Sequence, residues 1–382
     1  MHRPDHSTAD PDACGSGKAG YTPGNPAGLP PVPRTIVTHE HLNDETENAN
    51  RLVEGSGFPL VKNSYGQMLQ AVKTLACIAP LSKWASKTAH GAYAGTFRGV
   101  ASHGSTDMLI ILVGTSGEVQ ISSDGHTFAD EPPGLSYSGQ YNAIARVGDA
   151  YIACTEDGEI HKRTDAITWS KLYINATDNL YCVGTDGGTG GLVGGDNGSS
   201  VPVIMRGTNV TLGGSSDTFH GGVTSQRINA AAHNGTLWVA VGQTAAAGHE
   251  FLTLTGSQWG VVASGSGVMA DIAYGKGLFV AVGTSAIKTS PNGTTWTTRT
   301  SRLSLIVTGD KVAYNDNVGV FIHTKSDGTA EMSLDGITWT ECSLTDDIAS
   351  PSVVGLAIAN RRAITVGASG KIQVTDRLPF TV

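Results

Sequence analysis

Ser122-Ser-Asp124-Gly125-His-Thr-Phe128 is a short stretch that returns along the chain. It recurs as Ser290-Pro-Asn292-Gly293-Thr-Thr-Trp296 and as Ser333-Leu-Asp335-Gly336-Ile-Thr-Trp339. Weaker copies are Arg163-Thr-Asp165-Ala-Ile-Thr-Trp169 and Thr253-Leu-Thr255-Gly256-Ser-Gln-Trp259. Degenerate ones lie at Met205-Arg206-Gly207 and at Thr375-Asp376 with Phe380. With the Asp position as marker the copies fall at 124, 165, 206, 255, 292, 335 and 376, in steps of 41, 41, 49, 37, 43 and 41 residues. Steps near 40 residues match one four-stranded propeller blade. The repeat therefore predicts an all-β fold, a seven-bladed β-propeller of four-stranded blades over residues 91–382.

The residues within each copy have a physical reason to be there. Asp or Asn accepts hydrogen bonds from the amides that follow, and Gly supplies positive φ at low steric cost. Ser or Thr bonds back to the backbone, and the closing aromatic is expected to pack between adjacent blades. Upstream of the turn, Leu237-Trp-Val-Ala-Val-Gly242 matches Leu278-Phe-Val-Ala-Val-Gly283, with Met108 to Gly114 and Arg362 to Gly367 as relatives. Such near-continuous apolar runs suit an inner strand covered on both faces. An alternating strand follows, as in Glu118-Val-Gln-Ile-Ser122 or Lys371-Ile-Gln-Val-Thr375.

This repeat resembles the Asp-box of sialidases and related propellers, with Asp and Gly adjacent here and one residue fewer than the Ser-x-Asp-x-Gly-x-Thr-Trp pattern. The resemblance implies a fold and an architectural role for the turns. It carries little about chemistry, because a fold hosts many functions.

Residues 1–33, rich in Pro, Gly, Asp and His, read as an extended arm, and residues 34–90 as a helical attachment segment. A helix is expected over 39–54, stopping at Gly55. A second is expected from Tyr65 to about Cys77, with Ser64 and Gln67 as a capping box and Leu69, Val72, Leu75 and Ala76 as its apolar stripe. Leu42-Asn43, Glu47-Asn-Ala-Asn-Arg51, Gly57-Phe-Pro-Leu60 and Gln67-Met-Leu-Gln-Ala-Val72 resemble the N-terminal region of tailed-bacteriophage tail fibres and appendage proteins. That resemblance implies docking through residues 1–90 to other tail or baseplate proteins, a virion location in the phage tail, and a homotrimer.

Composition agrees with many short strands and tight turns. The chain has 50 glycines in 382 residues and 15% charged residues, against about 25% in an average domain. A net charge of −8 with no basic cluster argues against nucleic acid as a partner. The apolar runs are far shorter than the roughly 20 residues that span a bilayer, and the N-terminus is not read as a secretory signal. The 5 cysteines lack C-x-x-C spacing and point neither to a disulfide scaffold nor to zinc; Cys154 reads as a buried apolar residue and Cys14 as the candidate for an intermolecular bridge.

Several possible chemistries fail on spacing or context. Thr38-His39-Glu-His41-Leu42 resembles the His-x-His of phosphotriesterase-like amidohydrolases, but that pair requires a (β/α)₈ barrel and further ligands downstream. Gly15-Ser-Gly-Lys18 is followed by Ala19 where a phosphate loop needs Ser or Thr. Sialidases use three arginines, a Tyr–Glu nucleophile pair and an Asp, with the first Arg in an Arg-Ile-Pro-like motif; here Arg98 stands in Phe-Arg-Gly-Val, and Arg146, Arg227, Arg299, Arg302 and Arg361 lack recognisable contexts. Asn-x-Ser/Thr triplets at Asn175, Asn197, Asn209, Asn234 and Asn292 read as turn and strand chemistry.

The expectation is a non-enzymatic virion protein with no catalytic residues, metal or cofactor. Its propeller contacts a host-surface glycan or protein. The candidate receptor loops are Ala129 to Gln140, with Tyr137, and Gly213 to Gly222, with Phe219 and His220. A purely structural tail or baseplate component and a glycan-cleaving appendage are the competing readings.

Overall fold

The alternation of apolar runs and Gly-rich turns becomes, in a computed structural model, a ring of seven antiparallel sheets. The structure describes residue 72 and residues 84–378, apart from 103–108, 131–136, 165–167, 210, 285, 304–309, 343–352 and 360. The two N-terminal helices expected from sequence lie outside the described residues.

Each blade is a meander whose strands we letter a to d from the central channel outward. The a strands are Phe97–Ser102, Tyr141–Val147, Asn179–Thr185, Ser225–His233, Met269–Gly275, Lys311–Asn315 and Val353–Ala359. Each touches the next, and the seventh touches the first, which closes the ring. The near-continuous apolar runs are the b strands: Ile110–Gly114 is buried throughout, and Leu278–Gly283 and Arg362–Gly367 are buried at all but their first residue. The strand nearest the channel instead alternates, as in Asn179–Thr185, because its inward side faces the channel.

Seven clusters of buried side chains fill the seven gaps between blades. Trp339 packs with Val280, Val282 and Ile287 of blade 5 and Phe321 of blade 6. Trp259 joins Leu192 and Ile204 of blade 3 to Ala240 and Leu252 of blade 4, and Trp169 packs with Ile111 and Val113 of blade 1. Phe128 sits with Ile364 and Val374 of blade 7. Trp296 lies flat on Phe251 of the preceding blade, ring centroids 3.7 Å apart.

Blades 3, 4 and 7 depart from the simple count. The outer strand of blade 7 is Trp84–Lys87, paired antiparallel with Ile372–Thr375. The ring thus takes in residues N-terminal to the boundary at 91 that the repeat suggests, because its last blade is completed by the earliest strand. Trp84 is 4% exposed and packs with Val320, Met332 and Leu378. Blade 3 keeps three strands, ending at Pro202–Thr208, and blade 4 has five. After a single bridge from Met205 to Ser216, the chain leaves blade 3 and Thr218–Phe219 pairs in parallel with Gln258–Trp259 of blade 4. Asp217 fixes this crossing, accepting from Arg206 Nε at 2.5 Å and from Trp259 Nε1 at 2.8 Å. The long 49-residue step in the repeat supplies the extra chain.

Polar residues on the c strands hold the connectors that enter their own blades. Gln120 accepts from His90 N and donates to His90 O, both at 3.0 Å. Glu250 accepts from the backbone N–H and hydroxyl groups of Thr224 and Ser225 at 2.6 to 3.1 Å. Glu331 accepts from Arg302 N at 2.8 Å and Ser301 Oγ at 2.7 Å, and also meets His323 Nδ1 at 2.8 Å. On its other nitrogen His323 meets Asp310 at 2.9 Å, and Lys325 donates to the same oxygen at 2.8 Å. All four side chains are fully buried, two cations against two carboxylates. Burial alone would lower the His323 pKa, but the bonds to Asp310 and Glu331 outweigh it and raise it. Burial likewise pushes Asp310 up, and His323 with Lys325 reverses this to a net lowering.

Two outcomes follow for stability. Trp84→Ala is expected to lose about 3–5 kcal/mol in urea unfolding, because it empties the packing that seats the closing strand of blade 7 against blade 6. His323→Ala leaves two buried carboxylates facing one lysine and is expected to lose about 3–5 kcal/mol. His323, with a raised folded pKa, stabilises fully below its unfolded value and stops as pH rises through the folded one. Asp310, with a lowered pKa, stabilises above its unfolded value and stops as pH falls. The wild-type advantage over the variant should therefore be largest between about pH 4 and 6.5, the ordinary carboxylate and imidazole values, in unfolding series across pH.

Candidate functional site

The repeated turns form one built feature of the sheets. Ser122 Oγ donates to Asp124 at 3.0 Å, and Asp124 accepts from His126 N at 2.7 Å and Thr127 N at 2.8 Å. Asp335 repeats this with Ser333, Ile337 N and Thr338 N, and Asn292 with Ser290, Thr294 N and Thr295 N. The amides of Thr127 and His126 draw the Asp124 carboxyl down to about 2. Gly293 and Gly336 have φ of +75° and +74°, and a Cβ on either would lie 2.8 to 2.9 Å from Val239 or Leu278 of the preceding blade. Gly125 and Gly256 share the positive φ. Asp165 and Phe380 lie outside the described residues. The turns and their aromatics are thus inter-blade wedges.

A second feature is the channel. Arg98, Asn142, Tyr181, Asn229, Asp271 and Lys311 line a cavity of about 200 Å³ to which every blade contributes its a strand. Register shifts one residue into most of these strands, as between Phe97 and Gly99 or Tyr141 and Ala143, set bulged residues such as Arg98 and Asn142 at the channel. Asn142 and Asn229 donate to Leu180 O and Met269 O of the following blades at 2.8 and 3.0 Å, stitching the ring. Burial raises the Asp271 pKa, opposed by Lys311 and by the amides of Val312 and Ile272. Arg98 Nε is buried without a hydrogen-bond partner. Sequence reading did not find this set. The available signal was a polar residue near the start of six of the seven a strands, visible only once the blades are aligned.

The candidate receptor loops divide. Tyr137 is half-buried, its hydroxyl donating to Asp157 at 2.6 Å and its ring edge-on to Tyr141 and His161. Burial and then Asp157 push its phenol pKa well up. Phe219 is half-buried against the Trp259 cluster. His220 is exposed, donates its N–H to Trp259 O at 2.7 Å, and borders a cavity of about 350 Å³ beside the outer strand of blade 4.

Other candidates are placed as follows. Arg146 donates to Gly148 O, Arg227 to Asn229 and Gln243, Arg299 to Thr289, and Arg361 to Leu378 O; together with Arg98 they are spread over five blades. Asn175, Asn197, Asn234 and Asn292 each accept amide bonds within their own turn. Cys154, Cys182 and Cys342 are buried free thiols. His39, His41, Cys14, Cys77 and the Gly15–Lys18 stretch lie outside the described residues. Among the described residues no group of three or more metal-ligating side chains occurs.

No family model matches the chain. A curated relative, the uncharacterized protein StfP of Escherichia coli strain K12, is 37% identical over 75 residues, 20% of this chain. The chain spans about a third of that relative's length, 35%. Among solved structures, YCF48 bound to D1 peptide superposes with a TM-score of 0.58 at 14% identity, covering 78% of this chain and 96% of that one. YCF48 from Cyanidioschyzon merolae gives 0.56 at 14% identity, over 77% of this chain and 98% of that one. The computationally designed Ika8 protein gives 0.54 at 11%, over 76% and 99%. At such identities the likeness concerns the fold, and the fold is a seven-bladed β-propeller.

Proposed function

We propose that the chain is a bacteriophage tail appendage protein whose N-terminal residues dock to other tail proteins and whose propeller contacts the host surface without cleaving it. The observation that carries this reading is the preorganised ring. Connectors entering blades 1, 4 and 6 are held at their backbones by Gln120, Glu250 and Glu331. A surface held this way loses little conformational entropy on binding, which favours recognition. The resemblance of residues 42–72 to tail-fibre N-termini supplies the docking half and the homotrimer. YCF48, a protein of similar fold, has been solved bound to D1 peptide, which is compatible with a propeller of this kind binding a partner. The scattered, locally bonded arginines argue against a carboxylate clamp of the sialidase kind. Glycan cleavage therefore ranks below recognition, and a purely structural role is the nearest competitor.

Adsorption of the purified full chain to host cells, with whole particles as competitor, tests the reading. Saturable binding that blocks infection is the expected result, and light scattering should give three copies per particle in solution. A folded trimer that ignores the cells would move the protein to a structural role, and binding that disappears with time as the cell surface is stripped would make it an enzyme.

A further inference from the structure

We infer that the outer edge of blade 4 is a strand-addition site for an extended, uncharged segment of a partner protein bearing one bulky apolar side chain. The strand concerned, Gln258–Ser266, is nine residues long and contains neither a charge nor a proline. The outer strands of the four-stranded blades are two to six residues long, and each carries a charge: Asp130, Lys171, Arg299, Glu341 and Lys87. Short length and charge are the devices that keep a sheet edge from pairing with another chain. In blade 3 the edge strand begins with Pro202, carries Arg206 and is crossed by the bridge to Ser216. Among the described residues, blade 4 alone has an edge strand that is both long and uncharged.

The same edge already accepts a strand. Thr218–Phe219, arriving from blade 3, pairs in parallel with Gln258–Trp259, and His220 N adds a bond to Trp259 O. The chain then departs through Gly221 and Gly222, where an added Cβ would meet nothing. Among the described residues nothing pairs with the outer side of 260–265, where Val261, Ser264 and Gly265 are exposed. Where pairing stops, His220, Gly222, Thr253, Thr255, Gly260 and Val261 surround the cavity of about 350 Å³. Added strands gain affinity from main-chain bonds and specificity from side-chain pockets. A second copy of Gln258–Ser266 would bring to this pocket only Val, Ala, Ser and the polar Gln258 beyond Trp259, which is itself fully buried. The space suits Phe, Tyr, Trp or Leu from a different segment.

The test is selection of displayed random heptapeptides on the full chain, with counter-selection on Val261→Lys and Ser264→Lys, two exposed positions. The expected result is enrichment of uncharged peptides with a bulky apolar residue at one fixed place. Labelled copies of them should bind the variants at least about tenfold more weakly in fluorescence anisotropy. Absence of enrichment, or equal enrichment on wild type and variants, overturns the inference. Hydrogen exchange on the unmodified protein gives an independent reading: outward amides of 260–265 should exchange fast and slow down with peptide. Protection at every protein concentration without peptide would mean that the chain's own N-terminal residues cover the edge, and protection that grows with concentration would mean a second copy. Either result overturns the inference.

Discussion

Everything in this ring depends on each blade being covered by its neighbours. A b strand such as Ile110–Gly114 is buried along its whole length, and no blade covers both its faces unaided. The hydrophobic stabilisation therefore resides in the gaps between sheets, as the seven inter-blade clusters show. Closing the circle matters for the same reason. An open row would leave the outward faces of blades 1 and 7 in water, and Phe97, Phe128, Ile364 and Val374 belong to the cluster that would be exposed.

The second layer of organisation is polar. The c strands carry Gln120, Glu250 and Glu331 at positions that are buried yet directed at connector backbone. Each satisfies amides that would otherwise be left without partners where a loop crosses a sheet edge. In blade 6 the same position has grown into a charge cluster, His323 and Lys325 against Asp310 and Glu331. Such a cluster is weak as net stabilisation but severe when broken. It anchors Ser301, Arg302 and Asp310, the described residues that lead into that blade.

Much of this was legible because propeller blades repeat. The spacing of Asp124, Asn292 and Asp335 marks the sheets, and the aromatics at Phe128, Trp169, Trp259, Trp296 and Trp339 mark the gaps they fill. The 49-residue step after the degenerate copy at Met205 does not by itself reveal that Thr218–Phe219 crosses to its neighbour, since that crossing rests on Asp217 meeting Arg206 and Trp259 in space. Trp84 could not be assigned because its partner strand lies near the other end of the chain. Tyr137 and Phe219 looked presentable as loop aromatics, yet their rings are half-buried against His161 and the Trp259 cluster. Channel residues such as Asn142 and Asn229 are isolated polar positions, and the bulges at these residues set them at the channel.

The pairing of Trp84–Lys87 with Ile372–Thr375 also bears on how the molecule is made. Chains emerge N-terminus first at about 5–20 residues per second. The closing strand is therefore among the first parts of the ring to leave the ribosome, and its partner is among the last. Their contact spans 375 minus 84, or 291, residues, and contacts of such long range are slow to form. During synthesis the nascent chain is a growing arc with a bare sheet face at its leading end. Ring closure is then a single late event that converts a string of mutually dependent sheets into a finished protein, and a chain stalled short of Ile372 would carry that bare face indefinitely.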